Sequence, residues 1–194
     1  MSREESEHVE QGEPVTSARE SIHVCRFETV MGVMTLAASS RGVVACTLPD
    51  RDGGEELVRA FLERKAPGAE MTEGVGPGAA AVEAAKSFLA GKRTDLDLPL
   101  DMRGTPFQLQ CWSVLREIPY GSTISYKRLA ERVGRPTAFR ACGAANGANP
   151  LPLFVPCHRV VASDGSLQGF GGGLPLKRRL LELEARVGGL FASS

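Results

Sequence analysis

The chain has 194 residues, of which 42% are hydrophobic, 24% charged and 6% aromatic. This composition is typical of a globular protein with one ordinary core or two compact modules. No apolar run approaches the roughly 20 residues that span a membrane, and the acidic N-terminus has no apolar segment of the signal-peptide type, so we expect a cytoplasmic protein without a membrane partner. Five cysteines without CxxC spacing favour reduced thiols over a disulfide framework or a closed zinc site.

The zero net charge conceals a division along the chain. Residues 1–103 carry 12 basic and 18 acidic residues, whereas residues 104–194 carry 11 basic and 5 acidic ones. Such a division is expected when one module binds a polyanion, because basic side chains that neutralise phosphates release counterions. An uneven distribution of solvated surface charge is the alternative explanation.

The first half of the chain predicts a small sheet followed by two helices. Residues 1–20 are charged and lack apolar periodicity, which indicates a disordered acidic tail. Short β-branched and apolar runs broken by glycine turns then predict antiparallel hairpins, and apolar residues at helical spacing follow them. The expected strands cover residues 22–27, 34–38 and 42–48, the expected helices 55–65 and 77–89, and an extended connector or edge strand 95–101.

The second half predicts helices separated by sharp turns. Thr105-Pro106 is a helix start, and the apolar stripe that follows stops at residues 118–121. A short helix over 125–133, a turn at Gly134 and a third helix over 137–148 have the outline of a helix-turn-helix. The third helix is rich in alanine and glycine, and such small side chains allow its backbone to approach another surface closely.

The strongest local feature is the run from Asn149 to Val161, which contains Cys157 next to His158. Its three prolines bracket apolar residues, and we expect the run to be extended and buried. An imidazole oriented by a carboxylate can remove a thiol proton and so create a nucleophile. A buried cysteine beside an incidental histidine is the plainer alternative.

An ordered series of motifs extends this feature over residues 104–185. The series comprises Gly104-Thr105-Pro106-Phe107-Gln108, Ile118-Pro119-Tyr120-Gly121, Ser125-Tyr126, Arg140-Ala141, Asn149-Pro150, Pro156-Cys157-His158-Arg159-Val160, Gly172-Gly173-Leu174 and residues 177–184. In this series the chain resembles the methylated-DNA–protein-cysteine methyltransferases, also called O6-alkylguanine-DNA alkyltransferases, and residues 22–100 resemble them more loosely. The resemblance implies an α+β or α/β fold: a ribonuclease-H-like sheet-and-helix scaffold at residues 21–103, then a helical winged helix-turn-helix domain at 104–190 that binds DNA and accepts the alkyl group.

The resemblance also implies a chemistry. Cys157 matches the thiolate that takes the alkyl group from O6 of guanine, and less readily from O4 of thymine, in a single turnover without a cofactor. His158 matches the residue that accepts the thiol proton through a water molecule, and Glu184 the carboxylate that holds the imidazole, in the logic of a hydrolase triad. Asn149 matches a hinge residue between the recognition helix and the active-site strand. Tyr126 matches a residue whose hydroxyl donates a proton or hydrogen bond to the departing guanine.

Double-stranded DNA carrying O6-alkylguanine is the implied partner, and we expect a monomer that associates with the nucleoid when bound. The family extrudes the damaged base, and Arg140 matches the arginine that fills the vacated space while its helix lies in the minor groove. Small side chains on this helix would suit the narrow groove. Basic or polar residues nearby are candidate phosphate contacts. Each of these basic residues is equally compatible with a solvated surface position. These candidates are Thr137, Ala138, Ala141, Ala144 and Ala145 on the helix, and Ser125, Lys127, Arg128, Arg132 and Arg135 around it.

The expected substrate pocket contains Pro152, Val160, Phe170 and Gly171. The family often has a tyrosine and a serine or alanine where this chain has Phe170 and Gly171, so a side-chain hydrogen bond to O6 would be missing. We therefore expect a wider pocket that accepts bulkier adducts, and slow inactivation by O6-benzylguanine would contradict this. We expect no metal, because His23, Cys25 and Cys46 are too few and poorly spaced for zinc. Cys111 and Cys142 are expected in the core, with Trp112 as a packing anchor.

Two rival functions remain open at this point. A lesion sensor or helix-turn-helix regulator would bind DNA without chemistry, but it would not need the combination of Cys157, His158 and Glu184. A Cys-His hydrolase would need an oxyanion hole, which nothing in the sequence marks.

Overall fold

The computed structural model describes residues 19–191. The predicted tail at residues 1–20 therefore lies almost wholly outside the described residues. The regular elements are β1 (Ser21–Thr29), β2 (Gly32–Ser39), β3 (Gly42–Cys46), α1 (Gly54–Lys65), β4 (Glu70–Glu73), α2 (Ala79–Leu89), α3 (Pro106–Arg116), β5 (Ile124–Ser125), α4 (Tyr126–Arg132), α5 (Phe139–Gly147), β6 (Val160–Val161) and α6 (Gly173–Phe191).

The N-terminal half forms a four-stranded mixed sheet in the order β3-β2-β1-β4. The two predicted hairpins are confirmed as antiparallel pairs, β1 with β2 and β2 with β3. Sequence patterning missed β4, a polar four-residue edge strand that pairs in parallel with β1. Its residues do not alternate in hydrophobicity because most of its side chains face solvent.

Residues 95–101, predicted as an extended connector or edge strand, connect the two halves, and their end pairs with β3. The Val43 N–H donates to the Pro99 carbonyl at 3.0 Å, and the Asp101 N–H donates to the Val43 carbonyl at 2.8 Å. This contact requires Gly42, because its φ is 132° and an added Cβ would lie 2.2 Å from the Pro99 oxygen. The connector thus becomes an irregular edge of the sheet.

The sheet has two apolar faces. One packs against α1 through a cluster that includes Ile22, Val44, Val58 and Leu62. The other belongs to a larger core that continues from α2 into the helical half and includes the fully buried Trp112. This continuous burial places the end of β3 next to the segment that carries Cys157.

The helices of the second half begin close to the predicted residues. Thr105 caps α3 in a reciprocal capping box with Gln108, and Pro106 occupies the first turn. Ser125 caps α4 by accepting from the Arg128 N–H at 3.1 Å. Helix α5 begins at Phe139, two residues after the predicted start, and ends at Gly147.

The prediction that the run from Asn149 to Val161 is extended was wrong, whereas its predicted burial is confirmed. Residues 151–161 are buried, but the chain folds into a turn closed by the Val155 N–H and the Leu151 carbonyl at 2.8 Å. Leu153 adopts a φ of 74°, which an extended chain cannot have. Cys157 and His158 consequently lie on a single 3-10 turn (Cys157–Arg159) ahead of β6 rather than on a strand.

Candidate active site

Asn149 shapes the turn that carries Cys157. Its side-chain oxygen accepts from the Leu151 N–H at 2.9 Å, and its Nδ2 donates to the Val155 carbonyl at 2.8 Å. Both ends of the amide are thus used to fold the proline-rich segment back on itself. The turn is also tied to the sheet, because the Cys46 N–H donates to the Pro150 carbonyl at 2.8 Å. Asn149 and Pro150 therefore link the end of β3 to the approach to Cys157.

His158 and Glu184 form a fully buried pair. The His158 Nε2 lies 2.7 Å from Glu184 Oε1, and both side chains have no exposed surface. A carboxylate only accepts hydrogen bonds, so Nε2 carries the proton and Nδ1 keeps its lone pair. No hydrogen bond from a described residue reaches Nδ1. The ring is thus oriented to accept a proton at Nδ1.

Two further donors hold Glu184 in its charged form. The Arg159 guanidinium donates to both carboxylate oxygens at 2.9–3.1 Å, and the Gly121 N–H donates to Oε2 at 2.9 Å. Burial alone would raise the pKa of Glu184, but the hydrogen bonds and charges of His158 and Arg159 outweigh it and hold the pKa below its ordinary value. Glu184 is therefore an anion that binds the imidazole and does not take its proton.

Burial keeps both reacting groups neutral in the resting protein. It raises the pKa of the Cys157 thiol above its ordinary value, against the opposing effects of the Asn149 amide and the Lys177 charge. It also lowers the pKa of His158, and the Glu184 carboxylate offsets this only partly. Near neutral pH the pair is therefore a thiol and a neutral imidazole, so the sulfur could act as a nucleophile only if its proton were transferred.

Cys157 lines a cavity of about 320 Å³ between the two halves of the chain. The expected pocket residues Pro152, Phe170 and Gly171 line it as well. Val160 does not line this cavity: its side chain is fully buried in the core, and its carbonyl accepts from the Lys177 amine. The remaining walls come from the end of α5, from the end of β3 and from α1.

Several cavity residues were not expected from the sequence. Cys46, which the sequence excluded only as a zinc ligand, lines the cavity, and its sulfur donates to the Pro152 carbonyl at 3.0 Å. Phe61 and Arg64 of α1 form part of the wall, and the Arg51 guanidinium donates to the Gly171 carbonyl. Only the tertiary connection between β3 and Pro150 brings these residues to Cys157, and no local pattern marks them.

Lys177 is a further buried charge, beside Glu184 and Arg159, and its role was not expected from the sequence. Its amine donates to the Val160 carbonyl at 2.6 Å and to the Gln168 carbonyl at 2.8 Å. The loop that carries Phe170 and Gly171 is thereby attached to α6 and β6. Helical spacing is the signal that could have marked it, because Lys177 lies three residues before Leu180 and seven before Glu184, on the buried face of α6.

The candidate DNA contacts lie on the surface around α4 and α5. Eight of them are exposed, Ala138 and Ser125 are half-buried, and Ala145 is buried. Ser125 has a structural role as the cap of α4, and Arg128 and Arg132 pair with Glu131 and Glu117. The eight exposed residues are Thr137, Arg140, Ala141, Ala144, Lys127, Arg128, Arg132 and Arg135.

The small residues of α5 serve two different faces. Ala141 and Ala144 are exposed, as a groove-facing side requires. Ala145 is instead 3% exposed, and its carbonyl accepts from the Trp112 indole at 2.8 Å. The expectation that Ala145 faces DNA was therefore wrong, because this position packs against α3.

Tyr126 is close enough to Cys157 for an electrostatic effect on its hydroxyl, but it does not line the cavity that Cys157 borders. Its ring packs over Gly143 of α5, where an added Cβ would lie 3.8 Å from ring atoms. Burial raises the pKa of its hydroxyl, and Cys157 raises it further, so the hydroxyl stays protonated and can donate. Tyr126 lines a second cavity of about 470 Å³ that also contains Arg140.

The remaining cysteines are accounted for by packing. Cys111 and Cys142 are fully buried with their sulfurs 4.0 Å apart between α3 and α5. Burial raises the pKa of Cys111 to about 12, so its thiol is unreactive. Within residues 19–191 no group of three or more His, Cys, Asp or Glu side chains is placed to hold a metal ion.

Comparisons with known proteins agree with this geometry. Residues 106–186 match the family model of the 6-O-methylguanine DNA methyltransferase DNA-binding domain. The methylated-DNA–protein-cysteine methyltransferase of Mycolicibacterium paratuberculosis is 41% identical over 82% of this chain and 90% of its own. The inducible one of Bacillus subtilis is 50% identical over 52% of this chain and 56% of its own.

Solved structures agree as well. The crystal structure of the Mycobacterium tuberculosis OGT in complex with DNA superposes with a TM-score of 0.72, at 36% identity, over 85% of this chain and 94% of that one. The O6-methylguanine-DNA methyltransferase of Pyrococcus kodakaraensis gives 0.60 at 26% identity, over 84% and 98% of the two chains. Among the described residues, no helix has the length and apolar character needed to cross a membrane. The chain belongs to the methylated-DNA–protein-cysteine methyltransferase family.

Proposed function

We propose that this chain repairs DNA by moving a methyl or larger alkyl group from O6 of guanine to Cys157, once per protein molecule and without a cofactor. The observation that carries the proposal is the buried series Cys157, His158 and Glu184, in which the carboxylate fixes the imidazole tautomer next to a thiol that opens into a cavity. A protein that only bound lesions would not need this buried charged group, which is costly to desolvate.

The reaction follows from these positions. Cys157 gives its proton towards His158 Nδ1 as its sulfur attacks the alkyl carbon, so that an S–C bond forms while the C–O6 bond breaks. The electron pair of the broken bond stays on the guanine oxygen, and the Tyr126 hydroxyl donates a hydrogen bond or proton so that guanine leaves as a neutral base. The thioether has no proton to lose and cannot return to a nucleophile, which makes the reaction stoichiometric.

DNA binding is assigned to the surface of α4 and α5. The relative crystallised with DNA supports a duplex partner for this chain as well, and we assign Arg140 to the space left by an extruded base. Helix α4, the turn at Gly134 and helix α5 would act as a helix-turn-helix, with the short β5–β6 pair as its wing and the N-terminal sheet as a ribonuclease-H-like scaffold.

We divide the chain into a scaffold at residues 21–103 and a DNA-binding, alkyl-accepting domain at 104–190. The protein would work as a cytoplasmic monomer that joins the nucleoid when it binds DNA. Open space around Gly171, where an added Cβ would meet no atom within 4 Å, supports the acceptance of bulky adducts.

A stoichiometric labelling experiment tests the function. The protein is incubated with excess duplex oligonucleotide carrying one O6-methylguanine, digested, and analysed by peptide mass spectrometry. We expect one methyl group per chain, located on Cys157, with no further turnover. Continued release of product would indicate a hydrolase, and an unmodified chain would indicate a lesion sensor.

The two pKa shifts predict an unusual pH profile for the reaction with free O6-benzylguanine. The pKa of His158 lies below its ordinary value, so the imidazole is neutral from about pH 7 upwards. If it accepts the proton during attack, the rate is flat between about pH 7 and 8.5 and falls at lower pH. A His158→Gln variant must rely on preformed thiolate, and its rate should rise about tenfold per pH unit because the thiol pKa is raised. A steep rise in the unmodified protein would remove His158 from this role.

A further inference from the structure

Phe139 is an aromatic side chain that the fold leaves in water. Large apolar residues that are exposed within the described part of the chain are Val30, Leu57, Val75, Phe139 and Leu174, and Phe139 is the aromatic one. Its ring is 46% exposed at the first residue of α5. An exposed phenyl ring lacks the favourable free energy that burial would provide. Contact with a binding partner would recover that free energy.

The surroundings of Phe139 are those of the proposed DNA surface. The Arg140 guanidinium lies 5.8 Å from the centre of the Phe139 ring. Both side chains border the cavity of about 470 Å³ that also contains Tyr126, Lys127 and Gly143. Within residues 19–191 neither Arg140 nor Lys127 forms an ion pair with an acidic side chain. The ring therefore adjoins two cations that are available for phosphates or bases.

We propose that Phe139 is a second intercalating residue, which enters the base stack of duplex DNA next to Arg140 and helps to keep the damaged guanine extruded. This inference rests on the proposed function, because it assigns a partner to the surface beside the same reaction site. Apolar wedges that separate base steps are a general means of distorting DNA from the minor groove. A phenyl ring can also stack on a base of any sequence, which suits repair without sequence preference.

The test compares two substrates of the same protein. Phe139→Ala is expected to slow alkyl transfer from duplex O6-methylguanine DNA about tenfold, in line with the loss of one base–aromatic stack. The same variant should react with free O6-benzylguanine within about twofold of the unmodified rate, because the free base needs no extrusion. Val30→Ala, which removes an exposed apolar side chain from the β1–β2 turn, is the matched control and should change neither rate.

A double variant separates intercalation from mere support of Arg140. If Phe139 only held the guanidinium in place, Phe139→Ala would cause no further loss in an Arg140→Ala chain; an intercalating ring causes an additional loss. The deficit should also persist between about 50 and 200 mM salt, since an apolar contact releases no counterions.

Unchanged duplex repair by Phe139→Ala, equal losses on both substrates, or no additional loss in the Arg140→Ala background would each overturn the inference. The proposed function itself would remain intact in all three cases as long as the unmodified chain is alkylated at Cys157. It would fail separately if the unmodified chain took no alkyl group from duplex DNA.

Discussion

Replacing Cys157 with alanine is expected to abolish alkyl transfer to the protein while leaving affinity for duplex DNA within about twofold of the unmodified chain, since no phosphate contact is removed. Cys157 is 6% exposed and contributes nothing to the basic surface of α4 and α5. Its removal therefore eliminates the acceptor without altering the groups that contact phosphates. Peptide mass spectrometry and a binding titration with O6-methylguanine duplex measure the two effects separately.

Cys46 provides a demanding control for this prediction, because it lines the same cavity as Cys157. Burial raises the pKa of its thiol well above the ordinary value, and Cys157 raises it further. Its sulfur also lies against the Pro152 carbonyl. A Cys46→Ala chain should still take up one alkyl group at Cys157. Alkylation of Cys46 in the Cys157→Ala chain would show instead that position in the cavity, and not the His158–Glu184 pair, selects the acceptor.

The sequence predicted those parts of the fold that depend on local patterns. Short β-branched and apolar runs between glycine turns located β1, β2 and β3, and Thr105-Pro106 and Gly134 located the limits of helices in the second half. The turn around Leu153 escaped prediction because its positive φ and the side-chain bonds of Asn149 depend on contacts within the folded segment. An apolar run between prolines is equally compatible with an extended strand and with a buried turn.

The site residues that belong to a recognisable motif could be predicted from the sequence. The site residues that come from distant segments could be predicted less well. His158, the neighbour of Cys157 in the motif, is in contact with Glu184, the carboxylate that the family resemblance named. Arg159 and the Gly121 N–H also bind Glu184, and both belong to motifs visible in the sequence. Only the packing of α6 against the 3-10 turn of Arg159 and against the turn before β5 brings them to this carboxylate. Arg51 and Cys46 also line the cavity, but they lie at and after the end of β3, far in sequence from the motif that contains Cys157. The residues around that motif therefore could not reveal them.

Replacing Glu184 with glutamine should have the largest effect on stability among single changes at the site. The carboxylate neutralises Arg159, which is 7% exposed, and an amide leaves that charge buried without its partner. Breaking a buried ion pair in this way costs about 3 kcal/mol of unfolding free energy. We also expect the rate with O6-benzylguanine to fall about 100-fold, because a neutral amide no longer stabilises the imidazolium that forms on His158.

The pH dependence of unfolding separates loss of the carboxylate charge from a simple packing defect. In the folded chain the pKa of Glu184 is held below its ordinary value. The carboxylate therefore contributes its full share of the unfolding free energy at pH values above the ordinary pKa. This contribution is lost as the pH falls through the pKa of the folded state. The stability difference between the unmodified chain and Glu184→Gln should therefore be largest near neutral pH and shrink in acid. Urea unfolding across that range measures it, with Glu182→Gln, an exposed change two residues away on α6, as the control. A difference that stays constant with pH would mean that the substitution disturbs packing alone, and that the Arg159 and His158 contacts do not depend on the charge of Glu184.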